Sequence, residues 1–150
     1  MGFISRGQIT RRLVGEGDLV RALQERLNSR PAAHGGVDVR VLSYSQHNPS
    51  AFASLDAVIG VHGGAFANIH ACRPGTVVIE LSGEWLPRTY ANLATALGLE
   101  HFVYVAEIFP TSMRDFHARE GNSSWVQVNS TSVALFAGKA ISTSLRHRLA

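Results

Sequence analysis

A histidine and two glycines follow an apolar run in the stretch AVIGVHGG, which ends in His62, Gly63 and Gly64. Glycine accepts positive φ angles and lets a phosphate approach main-chain N–H groups closely. The next residues, 65–71, are helical in composition, and a helix start presents N–H donors and partial positive charge. His62 could bind a phosphate or a sugar hydroxyl, or act as a base near neutral pH. The stretch is typical of a phosphate site, and a tight structural turn explains the glycines equally well.

Arginines and one acid near other strand ends are further candidates. Arg6 follows an apolar segment at 2–5, and Arg11 and Arg12 come shortly after it. A guanidinium makes two-pronged contacts with phosphate groups, whereas Arg11 or Arg12 taken alone is more typical of a solvated loop. Glu80 lies near the end of the apolar run TVVIEL. Its carboxylate could accept hydrogen bonds from ribose hydroxyls or pair with an arginine.

Missing motifs disfavour an NAD-dependent dehydrogenase and a P-loop NTPase. The chain has neither the dinucleotide fingerprint G-x-G-x-x-G after its first strand nor a P-loop, and it has no G-x-S-x-G elbow. The seven histidines show no zinc-ligand spacing, and the single cysteine, Cys72, excludes an internal disulfide. No apolar run reaches the ~18 residues of a membrane-spanning helix.

The elements that must position these residues alternate along the chain. Leu19, Leu23 and Leu27 recur at helical spacing, and Val37, Val39 and Val41 at the spacing of a strand. Gly98 predicts a helix end and Ser132 a helix N-cap, with a polar loop expected at 110–124. We predict strands at 2–5, 37–42, 57–61, 76–81 and 101–105, and helices at 18–28, 50–55, 65–71, 88–97 and 132–149.

This alternation predicts an α/β, Rossmann-like fold: a mostly parallel sheet with helices on both faces. Ligands of such sheets bind beyond the carboxyl ends of the strands, so the turn after Val61 should lie at the ligand edge, with Arg6 beside it. The 150 residues, 45% of them hydrophobic, suit one globular domain. We divide it into a core at 1–105, an irregular region at 106–131 and a helix at 132–150. The formal charge is +3, with thirteen arginines and one lysine, and no nucleic-acid partner is expected.

Two segments of the chain resemble those of a known enzyme family. ISRGQITRRLVGEGDLVRAL is similar to a Ser-Arg…Arg-Arg…Asn-Glu…Leu segment of glycosyltransferase family 61. VIGVHGGAFANIHACRPGTVVIEL is similar to that family's His-Gly-Ala-Gly-Leu-Thr-Asn…Pro-Gly…Glu segment and is the more specific of the two. Their order and separation fit the family over residues 3–104. The family includes plant xylosyl- and arabinosyltransferases of xylan and N-glycans, and animal O-linked N-acetylglucosaminyltransferases.

The resemblance implies an inverting transferase of GT-B type, with UDP-xylose, UDP-arabinose or UDP-N-acetylglucosamine as donor and a glycan or protein hydroxyl as acceptor. This chain would be the carboxyl-terminal, donor-binding half, and the amino-terminal half would be absent. Neither a cofactor nor a metal is expected, since basic side chains and a helix terminus stabilise the departing diphosphate. The expected location is the Golgi or endoplasmic reticulum lumen, with the membrane anchor upstream. The sequons at Asn122 and Asn129 would then be glycosylation sites.

The resemblance also assigns residues by their match to the family motifs. Arg6 would contact the diphosphate, Glu80 the ribose, and Tyr90 would pack the same edge. His62 is the one histidine considered for chemistry, more as a donor contact than as the base, and the catalytic base stays unassigned. The donor-binding set is Arg6, Arg11, His62, Gly63, Gly64, Ala65, Asn68 and Glu80.

Some positions depart from the family pattern. The glycine loop continues as Gly-Ala-Phe where the family has Ala-Gly-Leu, so Ala65 carries a Cβ at a family glycine and would be strained if φ were positive there. Gly15 and Gly17 stand where the family usually has Asn and an acid. These departures motivate an alternative, a non-catalytic or degenerate nucleotide-binding module, which UDP titration would distinguish from a transferase.

Overall fold

The computed structural model describes residues 1–5, 13–29, 40–43, 49–83, 88–107 and 126–149. Five strands among these residues form one parallel sheet with the order β2-β1-β3-β4-β5. With the helices that lie between them in the chain, they confirm the predicted α/β fold. The strands are β1 (Gly2–Ser5), β2 (Arg40–Ser43), β3 (Ala57–Val61), β4 (Val77–Ser82) and β5 (Glu100–Val105). The helices are α1 (Glu16–Asn28), α2 (Pro49–Ala53), a 3₁₀ helix (Gly64–Ala71), α3 (Thr89–Ala96) and α4 (Ser130–Leu149).

The central strands are buried on both faces. Every residue of β3 and of β4 is buried, which explains why their sequences are continuous apolar runs rather than alternating ones. Phe3, Ile59 and Ile79 pack on one face of the sheet, and Ile4 and Val58 pack on the other.

A layer of helices covers each face, as the alternation of elements predicted. On one face α1 packs against α4, with Leu23 of α1 and Ala137 of α4 fully buried. On the other face lie α2, the 3₁₀ helix and α3, which contribute Phe52, Ile69 and Ala94. Since α4 belongs to the same core as α1, the helix at the chain's end completes the first layer.

The strand order reverses between β1 and β3. The chain runs from β1 to β2 on one side, and from β3 to β4 on the other. In doubly wound sheets a crevice opens at such a switch point, between the carboxyl ends of the two strands. Here those ends are Ser5 and Val61, so the residues that follow Val61 line the crevice.

The end of α3 agrees with the sequence prediction, and the start of α4 differs from it. Gly98, with φ of +67°, follows the end of α3 and confirms the predicted stop. The predicted N-cap at Ser132 is wrong, because Asn129 fills that position. Asn129 accepts the N–H of Ser132 on its side-chain oxygen at 2.9 Å, and its carbonyl accepts from Val133 at 2.9 Å. Helix α4 therefore begins at Ser130, two residues before the prediction.

Other boundaries shifted for local reasons. The predicted helix at 65–71 is a 3₁₀ helix, and the predicted strand at 37–42 is observed as Arg40–Ser43, with 37–39 outside the described residues. The loop expected at 110–124 also lies outside them. None of the helices that the structure describes combines the length and the apolar character needed to cross a bilayer.

Candidate functional site

The glycine loop leaves β3 at the switch point through one unusual backbone conformation. His62 extends the β3–β4 pairing, since its N–H donates to the Leu81 carbonyl at 2.9 Å. Gly63 then takes φ 148° and ψ −178°, a region open essentially only to glycine. The first hydrogen bond inside the 3₁₀ helix runs from Phe66 N to Gly63 O at 2.8 Å. The N–H groups of Gly64 and Ala65 precede that bond and have no acceptor within the helix.

The alanine in the loop is accommodated without strain. The positive φ falls on Gly63, whereas Ala65 lies inside the right-handed 3₁₀ helix, so the condition for strain at Ala65 is not met. The side chains of Ala65 and Phe66 are fully buried in the layer that holds α2 and α3. Phe66 fits because Gly60 has no side chain: a Cβ there would come within 3.3 Å of the Phe66 ring. These substitutions therefore leave the surface of the loop to Gly64, which is exposed.

Tyr90, in the first turn of α3, holds the loop from the side. Its hydroxyl donates to the Gly63 carbonyl at 2.8 Å. Its ring meets the His62 ring edge-on, with centroids 5.4 Å apart, and lies 5.5 Å from the Phe66 ring. Tyr90 packs at this edge as the sequence led us to expect, and it restrains both the backbone of the loop and the imidazole.

A buried carboxylate links the loop to the far edge of the sheet. Glu80 of β4 is only 1% exposed. Its Oε1 pairs with Nδ1 of His62, and its Oε2 pairs with Nε2 of His101 at 2.8 Å. His101 lies on β5, opposite Val78 in the parallel register, so its side chain lies on the same face of the sheet as that of Glu80. The three side chains form a hydrogen-bonded chain from the crevice to β5.

The contacts of Glu80 determine its charge and the tautomers of its partners. Burial raises the pKa of its carboxyl, but the hydrogen bonds and charges of His101 and His62 outweigh burial and hold that pKa below its ordinary value of 4.5. The carboxylate is therefore ionised at neutral pH and only accepts hydrogen bonds. His62 must then carry a proton on Nδ1, and His101 on Nε2. A carboxylate that holds an imidazole in this way fixes its orientation.

Ser82 is a second polar group near the carboxyl end of β4. It is completely buried, and its hydroxyl has no hydrogen-bond partner among the residues that the structure describes. Because side chains alternate along a strand, Ser82 shares the sheet face of Glu80, one step nearer the ligand edge. A buried hydroxyl without a partner is uncommon, which makes Ser82 a candidate for contact with a ligand.

The structure brings some of the predicted site residues together and does not describe others. His62, Gly63, Gly64 and Glu80 meet at the end of β3 and β4, whereas Asn68 lies half-buried on the 3₁₀ helix. Arg6, Arg11 and Asn122 lie outside the described residues. β1 is parallel to β3, so its last residue, Ser5, ends at the same edge as the glycine loop. Asn129 is exposed, as a glycosylation site requires, and also caps α4.

His101 was not predicted from the sequence as a site residue. It stands 21 residues after Glu80 inside a partly apolar strand, and only the histidine beside the glycines was expected to take part in chemistry. Alternation along β5 placed its side chain on one face, but only the register with β4 brings that face to the carboxylate. Burial raises the pKa of the Cys72 thiol to about 11, so that residue stays an unreactive part of the core.

The described residues contain no group of three His, Cys, Asp or Glu side chains placed to hold a metal ion. His62, Glu80 and His101 instead form a line of hydrogen bonds, in which each oxygen of the carboxylate is used by one imidazole. The expectation of a metal-independent reaction stays a prediction.

The doubly wound parallel sheet, with a glycine loop and a carboxylate-held histidine at its switch point, defines a Rossmann-like α/β domain. The family model for Glycosyltransferase 61 matches residues 1–79, which is just over half of the chain. The chain therefore belongs to glycosyltransferase family 61. The match covers the glycine loop and ends one residue before Glu80. A comparison with curated proteins gave no match.

Proposed function

We propose that this glycosyltransferase domain binds a UDP-sugar of the xylose, arabinose or N-acetylglucosamine class and transfers the sugar, with inversion, to a hydroxyl of a glycan or protein. The observation that carries the proposal is the His62-Gly63-Gly64 loop at the switch point, with its imidazole held by buried Glu80. Membership of the family supports the transferase activity. The donor, the acceptor and the stereochemistry belong to the proposal.

The loop is suited to hold the diphosphate of the donor. Gly64 is exposed, and its N–H lies ahead of the first hydrogen bond of the 3₁₀ helix. Donors at a helix start attract anions, and a glycine leaves the backbone open to a phosphate. Arg6, the next residue in the sequence after β1, would add a two-pronged charged contact, with Arg11 and Asn68 as further contacts.

The reaction is a single displacement at the anomeric carbon. The acceptor oxygen forms a bond to that carbon, the bond to the diphosphate oxygen breaks, and the hydroxyl proton passes to a base. Charge grows on the departing diphosphate, where Arg6, the Gly64 N–H and His62 would stabilise it. The Glu80 carboxylate accepts from Nδ1 of His62 and fixes the orientation of the ring. We assign His62 to the donor rather than to the acceptor proton, and place the base in an acceptor-binding half of the same enzyme.

Glu80 has a different role in this proposal from the ribose contact predicted from the sequence. Both of its oxygens already accept hydrogen bonds from histidines, and the side chain is buried. These contacts favour a role in orienting His62. The ribose contact stays a prediction, as do action in the Golgi or endoplasmic reticulum lumen and independence from metals.

Calorimetric titration of the chain with UDP, UDP-xylose and UDP-N-acetylglucosamine tests the proposal. We expect saturable binding of UDP, with ADP binding more weakly. The substitution His62→Ala should weaken UDP binding about tenfold or more, since it removes a charge-assisted contact worth ~1.5–3 kcal/mol. The matched control is His70→Ala, which removes an exposed histidine of the 3₁₀ helix that follows the loop and should leave affinity unchanged.

Folding of each variant is checked by its thermal transition before titration. A folded chain that shows no binding at millimolar UDP would contradict the proposal and favour the non-catalytic alternative. If His62→Ala and His70→Ala lose UDP affinity equally, UDP does not bind at the site that we assign to it.

A further inference from the structure

We propose that His101 is a positioning residue of this site: by donating to Glu80 it fixes the carboxylate and, through it, the orientation and tautomer of His62. This role lies outside the motifs that define the glycine loop. Its consequence for donor binding rests on the proposed function, whereas its effect on His62 does not.

The carboxylate of Glu80 has no access to water to satisfy it. The residue is 1% exposed, so each oxygen must find its donor inside the protein. Oε1 has the imidazole of His62, and Oε2 has Nε2 of His101 at 2.8 Å. With both oxygens engaged, the plane of the carboxylate is set by two directions at once.

The two histidines differ in where they stand on the sheet, since His101 lies within a strand and His62 just past the end of one. His101 projects from β5, which pairs with β4 from Glu100 to Val105, and its side chain is 12% exposed. His62 lies just past the end of β3, beside the special backbone of Gly63. Groups that must be held accurately are best supported from regular strands, so the fixed end of the chain of hydrogen bonds is His101 and the supported end is His62.

Loss of His101 would release the carboxylate. Oε2 would lie buried without a donor, and the group would turn about its last torsion or take up a proton to relieve this. Either change weakens the acceptor at Oε1 that keeps a proton on Nδ1 of His62. A neutral imidazole carries one N–H and one acceptor nitrogen, so losing the Nδ1–H form turns Nε2 from an acceptor into a donor.

The tautomer of His62 is measured directly by long-range ¹H–¹⁵N NMR of the imidazole rings in the full chain, at mildly alkaline pH. In the wild type we expect His62 as the Nδ1–H form. His101→Leu removes the donor to Glu80 and should shift His62 to a mixture dominated by the Nε2–H form. His101→Gln keeps an N–H that can reach Oε2 and should restore the Nδ1–H form. His70→Gln, at an exposed position, is the control and should leave the His62 signals unchanged.

Two NMR results would contradict the proposal. If His62 stays in the Nδ1–H form in His101→Leu, or leaves it equally in His101→Gln, the proposal is wrong. If His101→Leu does not fold, His101→Asn provides the same comparison, since its shorter amide falls short of the carboxylate. For donor binding we expect UDP affinity to fall about tenfold in His101→Leu, because the ring of His62 is no longer held in one orientation, and to stay within about twofold in His101→Gln. A chain that binds no UDP at all would contradict the proposed function and leave the tautomer result standing.

Discussion

Glu80 is a fully buried acid that keeps its charge because two imidazoles share it. Burial alone would push its proton affinity up, and the hydrogen bonds from His101 and His62 reverse that effect. An ionised carboxylate inside a protein is stable only when its oxygens are satisfied. The structure meets this condition with side chains from two different strands, and the result is a histidine of defined orientation at the ligand edge.

The charge of Glu80 predicts how its contribution to stability depends on pH. Its pKa is lower in the folded chain than the ordinary value of 4.5, so the stabilisation is complete above that value. As pH falls through 4.5 toward the folded pKa, the unfolded chain takes up the proton first and the stabilisation is lost. The substitution Glu80→Gln should lower the free energy of unfolding by about 1–3 kcal/mol at neutral pH. The gap between wild type and variant should narrow in acid.

Urea denaturation of both proteins at a series of pH values from about 6 to about 3 measures that gap. Glu25→Gln, at an exposed position of α1, serves as the control and should follow the wild type throughout. A gap that stays constant across the series would mean that Glu80 is not the group that titrates.

The individual residues of the site were only partly predictable. His62, the glycines and Glu80 stand close to strand ends, where a parallel sheet places its ligands, and the sequence marks those ends by its apolar runs. His101 and Ser82 carry no such mark. Their interest comes from the register of β4 with β5 and from a Ser82 hydroxyl without a partner among the described residues, which are seen only once the strands are paired.

At the scale of elements, the strand–loop–helix unit from β3 to the 3₁₀ helix was largely readable. The bounds of β1 and β3 match the predicted 2–5 and 57–61, because each is a compact apolar run with polar or glycine residues after it. The cap of α4 was not readable, since Asn129 and Ser132 are both good N-caps. The choice between them depends on contacts from elsewhere in the chain, including the carboxylate of Glu107, which accepts the N–H of Asn129 at 2.9 Å.

Substitution of the two loop glycines should change the stability of the protein to different extents. Gly63→Ala places a side chain at φ 148° and should lower the free energy of unfolding by about 1–3 kcal/mol. Gly64→Ala lies at the exposed start of the 3₁₀ helix, outside the left-handed region, and should stay within about 0.5 kcal/mol of the wild type. Urea denaturation measures both. Equal costs would show that the loop relaxes to a conformation other than the one described.

At the scale of the whole molecule, one sheet separates two apolar cores. Among the residues that the structure describes, the sheet lies between the α1–α4 layer and the layer of α2, the 3₁₀ helix and α3. The alternation of elements predicted two layers, but not the strand order, because the sequence of elements is the same for several doubly wound orders. That order is what places the switch point beside β3 and the turn at His62 next to it.

Two cores on opposite faces predict additive effects of substitutions. Ile59 packs in the first core and Ile69 in the second, and both are fully buried. Ile59→Val and Ile69→Val should each cost about 0.5–1.5 kcal/mol. The double variant should equal their sum within about 0.5 kcal/mol, because the two side chains share no partner across the sheet.

The matched comparison pairs Ile59→Val with Ile79→Val. These two residues lie opposite each other on β3 and β4 and belong to the same core. Removing one methyl group from each of two neighbours lets the core adjust around both, so the sum should miss the double variant by about 0.5 kcal/mol or more. Denaturation in urea, followed by circular dichroism and by fluorescence, measures all five variants. We expect the two probes to give coincident unfolding transitions. The changes in free energy of unfolding should be additive for Ile59 and Ile69, on opposite faces, and non-additive for Ile59 and Ile79, on the same face. Strong coupling between Ile59 and Ile69 would mean that the strands of the sheet transmit packing changes from one layer to the other.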